Sequence, residues 1–330
     1  MSTSLADAVP LLAGHRILVV GDVSLDEYVF GRATRLSREA PVPVLEFERR
    51  DYILGGAANP SRNIVALASS AIQAGIVGSD AAGQQLLADL QTAGIDSQAM
   101  LSLADRPTTC KTRILAQDPP RLPQQLARLD QLSRAALPPA DEQHLIAIIA
   151  DQIPQVDAVI CSDYQIGLLS PYLVESIRTL CRRHDVLLCV DAQGNAHYYQ
   201  GVDLFRCNNV EAAAAVGFSL RTETDYRAAL QRLRSDLDAR LVIVTRGPDG
   251  LSIEGDDLPY TRLPAIQVSE VFDTTGAGDT FIAVATLALA AGRPALAAAH
   301  LANTAAGLVV RRLGNAVVGA AELRAALQLP

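Results

Sequence analysis

Five short apolar runs, the first of them rich in β-branched residues, punctuate the chain: Arg16–Gly21, Ala158–Cys161, Val186–Val190, Leu204–Cys207 and Leu241–Thr245. Such runs read as strands buried on both faces of a parallel sheet. Between them, Asp141–Gln152, Ser170–His184 and Glu223–Asp236 carry helical spacing. Ser170 ahead of Pro171 marks a helix start, because the hydroxyl can cap a free N–H and proline is tolerated in the first turn. The last third reads as helices over Asp279–Ala291, Pro294–Arg312 and Gly319–Leu327. Strands alternating with helices predict an α/β fold with a mostly parallel central sheet covered by helices on both faces.

Two segments break this rhythm. Val42–Ile53 alternates through Val42, Val44 and Phe47, which predicts an antiparallel strand outside the main sheet, and Thr108–Leu115 looks similar. Both are expected in a small β lid, with lid segments at about 25–54 and 98–133. Gln117–Pro123 holds three prolines and reads as an irregular loop. No repeat, low-complexity tract or linker divides the chain, so 1–330 reads as one domain. The Val42–Phe47 edge has no evident partner within the chain, and pairing with a second copy would give a homodimer through the lid.

Composition narrows the function. The chain is 49% hydrophobic and 19% charged, as a globular domain is, and its 4% aromatic content without Trp demands an aliphatic core. A net charge of −8 argues against nucleic-acid binding, which needs clustered basic residues. Five cysteines without a C-x-x-C pair suggest neither a zinc site nor a disulfide framework, and reduced cytoplasmic thiols are expected. The five histidines show no i, i+4 pair. Met1–Pro10 lacks signal-peptide character, and Phe281–Ala291 is too short to span a bilayer.

The chemistry concentrates in Asp273-Thr-Thr-Gly276-Ala277-Gly278-Asp279, which runs into a helix. Glycines at a helix entry leave backbone N–H groups free to converge on an anion, and the helix dipole favours negative charge there. A carboxylate beside that hole would repel the ligand unless it had a task. Asp279 could accept a proton from a hydroxyl as it attacks a phosphoryl group; the plainer alternative is an N-cap.

This string resembles the second signature of the ribokinase-like (PfkB-type) carbohydrate kinases. Other segments agree in order: Leu54-Gly55-Gly56-Ala57-Ala58-Asn59, Gly75–Gly83, Asn208-Asn-Val-Glu211, Thr245-Arg-Gly247-Pro-Asp-Gly250 and His300-Leu-Ala-Asn303. The resemblance implies a three-layer ribokinase-like fold with a lid, and phosphoryl transfer from ATP to a sugar or sugar-phosphate hydroxyl. It implies Asp279 as base and Gly276, Ala277 and Gly278 as the anion hole. Asp26, Gly55, Gly56, Asn59, Lys111 and Asp163 would hold the sugar. Asn208, Thr245, Gly247, Gly250 and Asn303 would hold the nucleotide, and Asn208 with Glu211 would organise Mg2+ through water; a monovalent cation such as K+ is compatible.

Within the family, Gly21-Asp22-Val-Ser-Leu-Asp26, Arg35–Val44, Ser162-Asp163-Tyr164 and Gln125–Asp130 resemble the kinase half of heptose-7-phosphate kinase/heptose-1-phosphate adenylyltransferase proteins, as does Leu313-Gly314. Three positions that are basic in that branch read Glu27, Ile166 and Gln193. Their loss implies a weaker hold on a sugar phosphate unless Lys111, Arg113, Arg35 or Arg128 supplies the charge. A silent sugar- or nucleotide-sensing protein on the same fold would show a damaged base or anion hole; both are intact. A nicotinamide dehydrogenase would need G-x-G-x-x-G after the first strand, where Gly21 is followed by Asp-Val-Ser.

Overall fold

The computed structural model describes residues 4–117, 123–266, 273–312 and 314–328. In chain order its strands are β1 (Arg16–Gly21), β2 (Val23–Leu36), β3 (Pro43–Gly56), β4 (Ser70–Gly78), β5 (Asp96–Leu103), β6 (Cys110–Ala116), β7 (Gln124–Gln131), β8 (Ala158–Asp163), β9 (Leu187–Ala192), β10 (Leu204–Asn208), β11 (Leu241–Thr245), β12 (Leu251–Gly255) and β13 (Leu258–Leu263). Among the described residues nine of them form one sheet in the order β13-β12-β11-β10-β9-β8-β1-β4-β5. The pairs from β11 through β5 are parallel, and β12 and β13 close one edge antiparallel.

Successive side chains of a strand point to opposite faces, and both faces are covered. In β1, Ile17 and Val19 join one core with the helices Ala58–Ala66, Ala277–Ala290 and Ala295–Val309. Leu18 and Val20 join the other, with Pro139–Gln152, Pro171–His184 and Glu223–Leu237. Both cores are largely aliphatic. Ser170 accepts from Leu173 N as the cap of its helix, as its place before Pro171 suggested. No helix among the described residues is long and apolar enough to cross a membrane.

The remaining strands form a separate four-stranded sheet, β3-β2-β6-β7, which is the lid. β2 leaves the main sheet one residue after β1 ends. Two expectations need correction here. The Val42–Phe47 strand has a partner within the chain, since β3 pairs along its length with β2; among the described residues only its outer edge is unpaired. The second lid segment does not begin near residue 98, because β5 pairs with β4 at the end of the main sheet; the lid resumes at β6. The hairpin of β12 and β13 also interrupts what reads as a helical C-terminal third. Most of the Gln117–Pro123 loop, and Leu313, lie outside the described residues.

Candidate active site

Parallel strands direct their C-terminal ends to one edge of the sheet, where ligands of open α/β folds bind. Here β8 ends on Asp163, β10 on Asn208 and β11 on Thr245, while β9 carries Asp191 one residue before its end. The lid stands over this edge and contributes Asp26, Lys111 and Arg113. Together with the Asp273–Asp279 segment they enclose a cleft of about 950 Å³.

Gly276 caps the helix Ala277–Ala290 in the left-handed region (φ +80°), a conformation that glycine adopts without strain. Among the described residues no side chain caps this helix start, which leaves its first turn open to a ligand. A Cβ on Gly278 would stand 2.6 Å from Arg206 Nη1, so a glycine is required for the guanidinium to approach. Asp279 follows in the first turn and is only 6% exposed. Tyr164 Oη donates to its Oδ1 at 2.5 Å, and Asn59 Nδ2 donates to its Oδ2 at 3.0 Å. Burial pushes the carboxyl up to about 6 from its usual 3.8, with Asp191 adding to the rise; Tyr164, Asn59 and Arg206 pull it back down.

Arg206 is a functional candidate that the sequence reading missed. Its Nη1 donates to both Asp191 oxygens, at 2.7 and 3.0 Å, and its Nη2 to Thr245 Oγ1 at 2.8 Å. Asp191 and Arg206 sit directly opposite each other on β9 and β10. A signal existed: Leu204-Phe205-Arg206-Cys207 places an arginine inside an apolar run, where burying a charge is costly without a purpose.

Among the described residues three cations thus line the cleft. Arg206 is paired with Asp191, and Arg113 with Asp26 at 3.2 Å. Lys111 has no acidic partner among the described residues; its Nζ lies 5.3 Å from the centre of the Tyr164 ring. Asp26 also accepts from Asn315 Nδ2 at 3.2 Å. Asp163 accepts from Tyr199 Oη at 2.7 Å and from Gln165 N at 2.8 Å, and burial raises its carboxyl above the ordinary range.

The structure brings most of the expected residues to the cleft: Asp279, Gly276, Ala277 and Gly278, with Asp26, Gly56, Lys111 and Asp163 on the lid side. Asn208, Glu211, Thr245, Gly247, Gly250 and Asn303 line its other end. Gly55 and Asn59 do not line it. A Cβ on Gly55 would meet Asp26 Oδ1 at 2.8 Å, so this glycine makes room for Asp26. Asn59 is fully buried and holds Asp279 where a sugar contact was expected; its Oδ1 has no partner among the described residues.

The three replaced basic positions fare differently from the expectation that all lie near the sugar. Glu27 points to the opposite face of the lid from Asp26, where it pairs with Arg50 at 2.9 Å and accepts from Thr112 Oγ1 at 2.5 Å. Ile166 is buried in the core. Only Gln193 lines the cleft. Arg35 and Arg128 are exposed on the lid, Arg128 paired with Asp130 at 2.8 Å.

Asn208 and Glu211 form a reciprocal capping box. Asn208 Oδ1 accepts from Val210 N and Glu211 N, and Glu211 Oε2 accepts from Asn208 N at 2.6 Å. Burial raises the Glu211 carboxyl, and Glu211 Oε1 is left for a further partner. Among the described residues no cluster of three or more His, Cys, Asp or Glu could hold a metal by itself.

The model of the pfkB family carbohydrate kinases matches residues 15–318. This chain belongs to that family. The pfkB-family chain is 37% identical over 321 residues to the bifunctional protein HldE of Desulfatibacillum aliphaticivorans, covering 97% of this chain and 64% of that protein. It is 36% identical over 308 residues to the HldE of Wolinella succinogenes, covering 93% and 63%. The chain therefore spans just under two thirds of these relatives' length. Among solved structures it resembles Arabidopsis thaliana ribokinase complexed with ribose and ATP (TM-score 0.74, 18% identity, 96% of this chain and 100% of that one). It also resembles Escherichia coli phosphofructokinase-2 in complex with potassium (TM-score 0.77, 18% identity, 95% and 98%). At that identity the likeness shows the ribokinase-like fold.

Proposed function

We propose that this carbohydrate kinase transfers the γ-phosphoryl group of ATP to a hydroxyl of a sugar that already carries a phosphate, of the heptose 7-phosphate type. The observation that carries the reaction is the placement of Asp279, a buried carboxylate in the first turn of an uncapped helix, with Arg206 against the adjoining Gly278. A sugar hydroxyl at Asp279 gives up its proton to the carboxylate as its oxygen bonds to the γ-phosphorus, and the bond to the ADP oxygen breaks. Backbone N–H groups from Gly276 to Gly278, with Arg206, balance the charge on the moving group. Mg2+, when bound with the nucleotide, supplies further positive charge, and the free oxygen of Glu211 and the Asn208 side chain would orient it through water.

Asp26, Asp163 and Gly56 line the end of the cleft suited to hydroxyls. Thr245, Gly247, Gly250 and Asn303 line the end suited to the nucleotide. Lys111, the cleft cation with no acidic partner among the described residues, supports an anionic acceptor, as does the heptose-branch resemblance of Arg35–Val44. The reading also includes a homodimer through the lid, supported by exposed Phe47 and Leu129 on its outer face and by the free edge of β3. An ADP-release screen over phosphorylated and unphosphorylated sugars, including heptoses and fructose phosphates, tests the function. Turnover of a sugar phosphate is expected; no ADP release with any sugar would overturn it.

A further inference from the structure

The geometry points to Tyr164 as the positioning residue for the base Asp279, held in place by a buried carboxylate, Asp22, that lies outside the cleft. This inference rests on the assignment of Asp279 as base. Tyr164 follows β8, in a segment that turns sharply: Gln165 and Gly167 both have positive φ, 58° and 95°. Left alone, such a segment would leave several N–H groups unpaired, which is costly inside a protein. Asp22 answers that need. Its Oδ2 accepts from Tyr164 N at 3.1 Å and Ile166 N at 3.0 Å, and its Oδ1 accepts from Leu168 N at 3.3 Å. Arg106 ties the same segment down from outside by donating to the carbonyls of Ile166, Ser133 and Ala135.

The phenol that this turn presents reaches Asp279 Oδ1 at 2.5 Å, while Asn59 holds Oδ2. Two donors on two oxygens stop the carboxylate from rotating. Each oxygen keeps a further lone-pair direction, so one can still receive a proton. Burial beside Asp279 holds the phenol protonated far above neutral pH, so it remains a donor throughout the working range. The other charged groups facing Asp279 are Asp191 from β9 and Arg206 from β10, while Lys111 from β6 lies over the Tyr164 ring. These persist when only the phenolic oxygen is removed.

Tyr164→Phe keeps the ring and its cation contact and deletes the donor. A hydrogen bond to a carboxylate stabilises its charged form, so losing it moves the Asp279 titration upward by about one pH unit. The titration is read without any substrate, from the carboxyl carbon signal in 13C NMR, assigned as the one missing in Asp279→Asn. In ADP-release assays with D-glycero-D-manno-heptose 7-phosphate, kcat is expected to fall about 10- to 100-fold with KM within twofold, and the acid limb to follow the NMR shift. A ring-fluorinated tyrosine at position 164, a stronger donor of nearly the same shape, is expected to move the titration downward. An Asp279 titration unmoved by both replacements would overturn the role of Tyr164. Full turnover by Asp279→Asn would overturn the base assignment instead, so the two failures are distinguishable.

Discussion

At Asp279 burial and hydrogen bonding act in opposite directions, and burial wins. The folded carboxyl, pushed up to about 6, binds a proton that the unfolded chain has already released, so the stability this group contributes at low pH is lost as pH rises through about 6. As the proposed base the same group must be ionised, so turnover is expected to fall as pH drops below about 6. Asp279→Asn is therefore expected to lose about 10²–10⁴-fold in kcat while folding more stably, by at most about 3 kcal/mol at pH 8 and by less at pH 5. Asn59 can accommodate the amide by turning its unpartnered Oδ1 toward the new donor. Urea midpoints at the two pH values and steady-state rates check both halves; a variant that is neither slower nor more stable would contradict the account. For Arg206, Arg206→Met is expected to lower kcat about 100-fold or more, with sugar KM little changed, because the charge is needed as the phosphoryl group moves. A rise in sugar KM alone would place Arg206 in sugar binding. The Asp273–Asp279 string was readable because glycines and a carboxylate before a helix have few other uses. Arg206 and Tyr164 were not, since their meaning depends on neighbours far away in sequence.

Among the elements, those that declare themselves are short apolar runs buried on both faces, and β10 shows through even with Arg206 inside it. Strand β4 escaped because Gln73, Gly75 and Gly78 all interrupt its apolar run; Gln73 is fully buried, its amide taken up by Ser61 Oγ and the carbonyls of Val19 and Ala74. The β12–β13 hairpin escaped because it mixes polar and apolar positions and turns through Gly255-Asp-Asp. The lid was legible as alternating strands, but its boundary was not, since β5 and β6 differ mainly in which sheet takes them. Along the outer face of the lid, register places Tyr52, Glu27, Thr112 and Leu129 in one row, with Phe47 farther along β3. Phe47 is 66% and Leu129 67% exposed, an apolar surface that a second lid would cover. Light scattering at micromolar concentration is expected to give a dimer mass, and Phe47→Glu with Leu129→Glu a monomer. A monomeric parent protein would refute pairing through the lid.

Over the whole molecule, the proposed sugar-phosphate acceptor would have to be held by an acidic chain. Among the described residues five carboxylates and three cations line the cleft, a balance that would by itself repel a sugar phosphate. The sequence suggested that three basic contacts had been lost, but Glu27 and Ile166 are not at the cleft, and only Gln193 is a loss the substrate would feel. One charge-assisted contact is worth roughly 1.5–3 kcal/mol, a factor of about 10 to 100 that the remaining cations can offset. Arg113 is paired with Asp26 and Arg206 with Asp191, so under the proposed reading Lys111 is the cation that would meet the acceptor's phosphate. The kcat/KM for D-glycero-D-manno-heptose 7-phosphate is therefore expected to exceed that for the unphosphorylated heptose by about 100-fold, and Lys111→Met to remove most of that ratio by slowing only the phosphorylated sugar. If Lys111→Met slowed both sugars equally, its charge would be serving the γ-phosphoryl group instead. A parent enzyme that preferred the neutral heptose would show that Asp26 neutralises Arg113 because no substrate phosphate ever arrives there, and the acceptor would then be an unphosphorylated sugar.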